Sequence, residues 1–362
     1  MPANTIAAPV LRSAVSALWK QPAAHTIPTL ATIALDTDTT VSTDSNIWIT
    51  SLPRGAYSSA RTVGMTHILE FSSHVGRTAS SLAQMVSSSS NGSDRKEPLA
   101  WPATDPAHLA TVLRPLAAAA LAQYYKSNNL HVPPNPISSN PNGISGGRGS
   151  PNDSACEETK VTWLVSTDAA TVAVHCAPLH APGVGEHSAL VAGAPRALAG
   201  AKDSQWVHDR AALASVLATG GYNEVLLASP AEAPARVYEG LSSNAFALVS
   251  TDSGVELHTA PLEDVLTGTI LKIVLDVARE MQLPVVFAHP DASVEGCKRW
   301  VAAFVTSTSR LVCPLARIDF APVAGSPTTR PSFKLDAHHP IVEEIVRRVD
   351  AEVWKRALLI ME

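Results

Sequence analysis

Apolar and polar positions follow one another along this chain in short bursts, and the period within each burst separates strands from helices. Two bursts rich in β-branched and aromatic residues, Lys160-Val-Thr-Trp-Leu-Val-Ser166 and Thr171-Val-Ala-Val-His-Cys176, predict a pair of strands. Ala245–Ser250 and Val255–Thr259 flank an Asp252-Ser-Gly turn and predict a hairpin. Further strands are predicted at Asn46–Thr50, Glu224–Ala228 and Pro284–Ala288, and one opening at Tyr238. Helical spacing governs Pro106–Tyr125, where Leu109, Val112, Leu113, Leu116 and Leu121 share a face. It returns with Ile270, Ile273, Val274, Val277, Ala278 and Met281, and over His339–Glu362 with Ile341, Ile345, Val346, Val349 and Val353. Shorter helices are expected at Pro9–Lys20, just after Lys202, and over Ala292–Ala303.

Two stretches interrupt this pattern. Residues 84–98 and 132–155 are rich in Ser, Pro, Asn and Gly, hold too little apolar surface to offset the entropy of ordering, and read as insertions. The resulting plan is an N-terminal extension over 1–35 and a smaller α/β domain over 36–180. A connector over 181–200 then leads to a larger domain over 201–362. The fold class is a two-domain α/β (α+β) protein.

Composition narrows the class. With 362 residues and 46% hydrophobic content the chain can bury one large core or two medium ones. A net charge of −5 gives no electrostatic case for nucleic acid or anionic lipid, and no apolar run approaches the roughly 20 residues that span a bilayer. The four cysteines, Cys156, Cys176, Cys297 and Cys313, form no CxxC pair and read as reduced thiols. No Asp or Glu precedes Asp36, while Arg12 and Lys20 are basic. That composition is compatible with a transit peptide for a mitochondrion or plastid, but two basic residues are few, and a cytoplasmic protein is expected.

The candidate chemistry centres on residues 201–246. Lys202 precedes a predicted helix, and Glu239 follows about forty residues later on a strand. An amine that can hold an aldehyde as an imine, with an acid that can keep a ring nitrogen charged, points to pyridoxal 5'-phosphate. Of the nine lysines only Lys202 has this context, Lys272 and Lys298 reading as solvated helix charges.

Around this pair the chain resembles the fold-type IV, or class IV, pyridoxal-phosphate-dependent aminotransferase family, which includes branched-chain and D-amino acid aminotransferases and aminodeoxychorismate lyase. Lys202 falls where that family places its Schiff-base lysine, and Glu239 and Asn244 lie in a Glu-Gly-x-x-Ser-Asn segment. The resemblance implies that Glu239 pairs with the cofactor ring nitrogen and that Asn244 braces the adjoining loop. It places Tyr57 and Arg61 on the substrate side, and His74 and Arg77 in a His-x-x-Arg turn whose arginine meets the cofactor phosphate. The family's Leu-x-Gly helix start carries over to Thr267, Gly268, Thr269 and Ile270, and its hydroxyl run to Ser307 and Thr308. The chain departs from the pattern at Thr78, where leucine is usual, and at Leu271, where many relatives have arginine. Taken singly, these segments also read as a capped helix start, an ordinary N-terminus and a polar turn.

The activity implied is amino-group transfer between an amino acid, of branched-chain or D type, and a 2-oxo acid. The alternatives are elimination of pyruvate by a lyase using the same Lys202, or a catalytically silent relative that binds without turnover. The resemblance also implies a homodimer, with small-molecule substrates and neither nucleic acid nor membrane as partner.

Overall fold

The computed structural model describes residues 13–20, 33–36, 41–88, 99, 101–132, 158–180, 185–229, 235–321 and 332–361. The insertion expected at 132–155 lies almost wholly outside these residues. So do 89–98 of the other insertion, whose first residues, 84–88, end a helix.

In chain order the first sheet and its helices comprise β1 (Val15–Lys20), β2 (Ala34–Asp36), α1 (Ser45–Thr50), β3 (Gly55–Val63) and β4 (His67–Leu69). They continue with α2 (Phe71–Ser88), α3 (Pro106–Ser127), β5 (Thr159–Ser166) and β6 (Thr171–Pro178). The second part runs through β7 (Ser188–Val191), α4 (Gln205–Asp209), α5 (Ala211–Gly220), β8 (Glu224–Ala228), β9 (Val237–Gly240), β10 (Asn244–Thr251) and β11 (Gly254–Thr259). It is completed by α6 (Thr269–Glu280), β12 (Val285–Phe287), α7 (Val294–Cys297), β13 (Trp300–Ser307), β14 (Leu311–Leu315), β15 (Arg317–Phe320), β16 (Phe333–Lys334), α8 (Pro340–Lys355) and β17 (Ala357–Leu359).

Two sheets result. The first has seven strands in the order β17-β4-β3-β5-β6-β1-β2. The second has ten, in the order β12-β11-β10-β9-β8-β7-β15-β16, with β13 and β14 added on β10. Helices α2 and α3 cover one face of the first sheet around Trp163, Leu113 and Tyr125. Helices α6 and α8 cover the second, where Ile270, Ile273, Val274 and Val277 meet Phe246, Phe304 and Ile345. Burying each of those four α6 side chains contributes about 1.5–3 kcal/mol, which anchors the helix whose first turn lines the site.

Four sequence expectations are corrected. Asn46–Thr50 belongs to helix α1, because the Asp44 carboxylate accepts the Asn46 N–H at 2.7 Å and caps it. Trp48 and Ile49 are both buried while Ile47 is exposed, which departs from the strict alternation of a half-buried strand. The helix expected at Pro9–Lys20 is strand β1 from Val15 onward. Val15, Ala17 and Trp19 alternate inward, and all six residues pair with β6, so part of the expected extension is built into the first sheet. The helix expected over Ala292–Ala303 shrinks to Val294–Cys297, and Trp300–Ser307 instead forms a strand between β10 and β14, apolar on both faces. The C-terminal helix stops at Lys355, and β17 crosses back to pair with β4 of the first sheet.

The two sheets meet at the lysine segment. Tyr57 donates its N–H to the Lys202 carbonyl at 3.0 Å, and Ser204 donates to the Gly55 carbonyl at 2.9 Å. Gly55 is required at this junction, because a Cβ there would lie 2.2 Å from the Val165 carbonyl oxygen. Cys176, Cys297 and Cys313 are buried and form no disulfide among the described residues, and Cys156 lies outside the described residues. Among the described residues no helix is long and apolar enough to cross a membrane.

Candidate active site

Lys202 is placed by contacts on both sides of its backbone. Its N–H donates to the Ser81 hydroxyl of α2 at 2.9 Å, and its carbonyl accepts from Tyr57 of β3. The next residue, Asp203, accepts both the Gln205 N–H at 2.9 Å and the forked guanidinium of Arg54. The side chain enters a cavity between the sheets, and Nζ sits 4.6 Å from the centre of the buried Tyr57 ring. Burial lowers the Lys202 pKa from 10.5 to about 8; Tyr57 opposes the shift, and Arg77, Arg210 and Arg196 reinforce it. A larger share of this amine is then neutral near pH 7 than of a solvated lysine. Tyr57 is raised by burial but pulled down more strongly by Lys202, Arg210 and Arg196, to about 8. The two groups act as one coupled pair.

Glu239, on β9, also faces the cavity. Its Oε1 accepts from Arg196 Nε at 2.7 Å and its Oε2 from the Leu266 N–H at 3.2 Å. Burial raises its pKa, and Arg196 works against that rise. Arg196 also donates to the carbonyls of Ala201, at 3.1 Å, and Ala199, at 2.7 Å, so one guanidinium ties the carboxylate to the lysine loop. Asn244 braces the same region by donating Nδ2–H to the Leu266 carbonyl at 2.7 Å. A Cβ on Gly268 would lie 2.2 Å from Asn244 Oδ1, so only glycine fits against that brace.

The far end of the cavity is made of donors. Gly268 is the N-cap of α6 and no side chain caps it, which leaves the first-turn amides, those of Thr269 and Ile270 among them, free for an anion. The hydroxyls of Thr269 and Thr308 lie 3.1 Å apart, joining α6 to the turn between β13 and β14. Ser307, Thr308 and Ser309 line the same end, together with Thr306, whose buried Oγ1 has no hydrogen-bond partner among the described residues. Thr267 precedes the cap and does not line the cavity.

Arg77 reaches the cavity from α2. Its Nη2 donates to Ser58 Oγ at 2.7 Å and to His74 Nδ1 at 3.0 Å, while Nε has no partner. Among the described residues it forms no ion pair, and burial lowers its pKa to about 10. Burial and the Arg77 charge hold His74 neutral, so His74 orients the arginine as an acceptor and does not itself line the cavity. An unpaired buried guanidinium, an orphaned hydroxyl and an uncapped helix start together fit a phosphate ester.

Arg61 is not brought to the cavity. It is buried on β3, where Glu158 and Asp350 offset part of the burial that lowers its pKa. The cavity is lined in addition by Tyr57, Ser59, Ser45, Asn46, Lys160 and Arg210. Lys160 donates to the Ser45 hydroxyl at 2.5 Å; Arg210 donates to the Leu241 carbonyl and to Asn46 Oδ1, each at 2.7 Å. Sequence reasoning missed Lys160, Arg196, Arg210 and Thr306. Only Thr306 had a usable signal, its place in the hydroxyl run. The three cations stand in a strand, a connector and a helix boundary where any charged residue would read as solvated.

Neither a family model nor a curated protein matches this sequence. Solved structures do match. A branched-chain aminotransferase from the thermophilic archaeon Thermoproteus uzoniensis, with norvaline, is 16% identical at a TM-score of 0.57, over 90% of this chain and 97% of that one. A fold IV-transaminase from Curtobacterium pusillum is 19% identical at a TM-score of 0.55, over 86% and 94%. A hypothetical aminotransferase from Mycobacterium tuberculosis, in its PLP-bound form, is 17% identical at a TM-score of 0.54, over 83% and 89%. At these identities the likeness establishes the fold: this chain has the architecture of fold-type IV aminotransferases.

Proposed function

We propose that this protein is a pyridoxal-phosphate-dependent aminotransferase that moves an amino group between an amino acid and a 2-oxo acid. The observation that carries the reading is the placement of Lys202: a buried amine with its pKa pulled to about 8, lining one cavity with the Glu239 carboxylate and the donors at the start of α6. When bound, pyridoxal phosphate supplies an aldehyde for amino groups and a ring that accepts the electron pair released at the substrate α-carbon.

The chain's own residues then divide the work. Arg77, Thr306, Ser307, Thr308 and the amides of Thr269 and Ile270 hold the phosphate. Glu239, whose charged form Arg196 favours against the effect of burial, would hold a proton at the ring nitrogen. Lys202 Nζ moves a proton to and from the substrate α-carbon, and Tyr57 sets its charge. An aliphatic substrate, of branched-chain type, is supported by the Thermoproteus uzoniensis neighbour, named a branched-chain aminotransferase and solved with the straight-chain aliphatic norvaline. The apolar side chains of Ile49, Trp206 and Leu241 on the cavity wall suit an aliphatic substrate.

The test is an absorbance spectrum of the purified protein with added pyridoxal phosphate, before and after borohydride, with peptide mapping of the product. A visible band that borohydride bleaches, leaving the cofactor fixed on Lys202, is expected. A protein that stays colourless, or a label on another lysine, overturns the reading.

A further inference from the structure

Outside the residues that line the cavity, one buried carboxylate gathers an unusual number of donors. Glu224, at the start of β8, is 1% exposed. Its Oε1 accepts the N–H groups of Val225 and Leu241, each at 3.1 Å. Its Oε2 accepts the Ser243 hydroxyl at 2.7 Å and a guanidinium N–H of Arg310. A carboxylate this deep in the fold persists only when its lone pairs are met, and here all four contacts are supplied.

Three of those four donors come from two loops beside the cavity. Leu241 and Ser243 belong to the loop between Glu239 and Asn244. Arg310 belongs to the turn between β13 and β14, which presents Ser307 and Thr308. The fit around Glu224 is tight: a Cβ on Gly240 would lie 2.8 Å from its carboxyl carbon and 2.2 Å from the Ser243 hydroxyl. Arg310 donates its backbone N–H and its Nε–H to Ser307 Oγ, each at 3.3 Å, and Nη1–H to the Asn223 carbonyl at 3.1 Å. A serine oxygen that accepts two N–H bonds has both lone pairs engaged, so its own hydrogen can only donate, to Ser309 Oγ at 3.4 Å or to an anion in the cavity.

We infer that Glu224 and Arg310 are positioning residues for the cofactor phosphate: through Arg310, Glu224 fixes Ser307 as a hydrogen-bond donor. This rests on the pyridoxal phosphate reading above. Neither residue touches the phosphate; both act through Ser307 and the turn.

The test compares two aldehydes that differ only in the phosphate. Pyridoxal 5'-phosphate and pyridoxal are titrated by absorbance into wild-type protein, Glu224→Gln and Arg310→Lys, with thermal melting to confirm folding. Roughly a tenfold loss of affinity for pyridoxal phosphate in both variants is expected, with pyridoxal affinity unchanged, as for loss of one charge-assisted contact. Should Glu224→Gln fail to fold, Arg310→Lys carries the test, since it keeps the charge and removes the Nε–H contact. Equal losses for both aldehydes, or no loss for either, overturn the inference while leaving the Lys202 reading intact. A wild-type protein that forms no band with either aldehyde overturns both.

Discussion

The two ends of the cavity are built differently. The donor end uses backbone amides at the start of α6 and hydroxyls from the β13–β14 turn, with the Arg77 guanidinium reaching in from α2. The lysine end uses long charged side chains, Lys160, Arg196, Lys202 and Arg210, converging on Tyr57 and Glu239. Amides and short hydroxyls hold their geometry through the backbone, so changes there alter affinity. Crowded cations hold one another's charge states, so changes there alter titration.

The largest expected effect separates the two ends outright. Lys202→Ala should abolish the visible band and reduce turnover by about 10⁴-fold or more. Equilibrium dialysis should still find pyridoxal phosphate held by the intact donor end. Loss of all cofactor binding in this variant would break the division. Next comes Arg77→Gln, which removes the one cation of the donor end. Because a hydrogen bond to a charged group contributes about 1.5–3 kcal/mol, the cofactor dissociation constant should rise roughly 10- to 100-fold. Turnover at saturating cofactor should survive.

Backbone construction is probed by Gly268→Ala. The added methyl drives into Asn244 Oδ1, and overpacking of this kind costs about 1–3 kcal/mol, readable as a lower melting temperature and weaker cofactor binding. Adding Asn244→Ala to the same chain should recover part of the loss, and failure to do so would place the strain elsewhere. The smallest effect is expected at the lysine end. Tyr57 raises the Lys202 pKa, so Tyr57→Phe should move the pH midpoint of Lys202 labelling downward from about 8, by less than about one unit. An upward move would show that Tyr57 does not stabilise the charged amine.

The same contrast explains what could be read from the chain. Lys202, Glu239, Asn244 and the Gly268–Ile270 helix start each sit in a contiguous motif, and all line the cavity. Arg61 also sits in such a motif, yet it is drawn toward Glu158 and Asp350, neighbours brought to it only by folding. Arg196 and Arg210 were illegible for the converse reason. Their role is set by Glu239, Leu241 and Asn46, which are remote in sequence and carry no local pattern.

Local chemistry also misled where two periods compete. The Asn46–Thr50 run suits a strand by composition, but the Asp44 cap and the burial of Trp48 and Ile49 make it helical. Trp300–Ala303 suits the end of a helix until β10 and β14 pair with both its edges.

By itself the sequence pointed to an α/β fold, to the pairing of Lys202 with Glu239, and to the helix start at Gly268. Each of these follows from spacing, propensity or side-chain chemistry within a few residues. Only the tertiary structure decided the charge states of Lys202 and Tyr57, the pairing of Arg196 with Glu239, and the hold of Glu224 on two loops. Desolvation and Coulomb coupling depend on distances across the fold, and no local pattern encodes them.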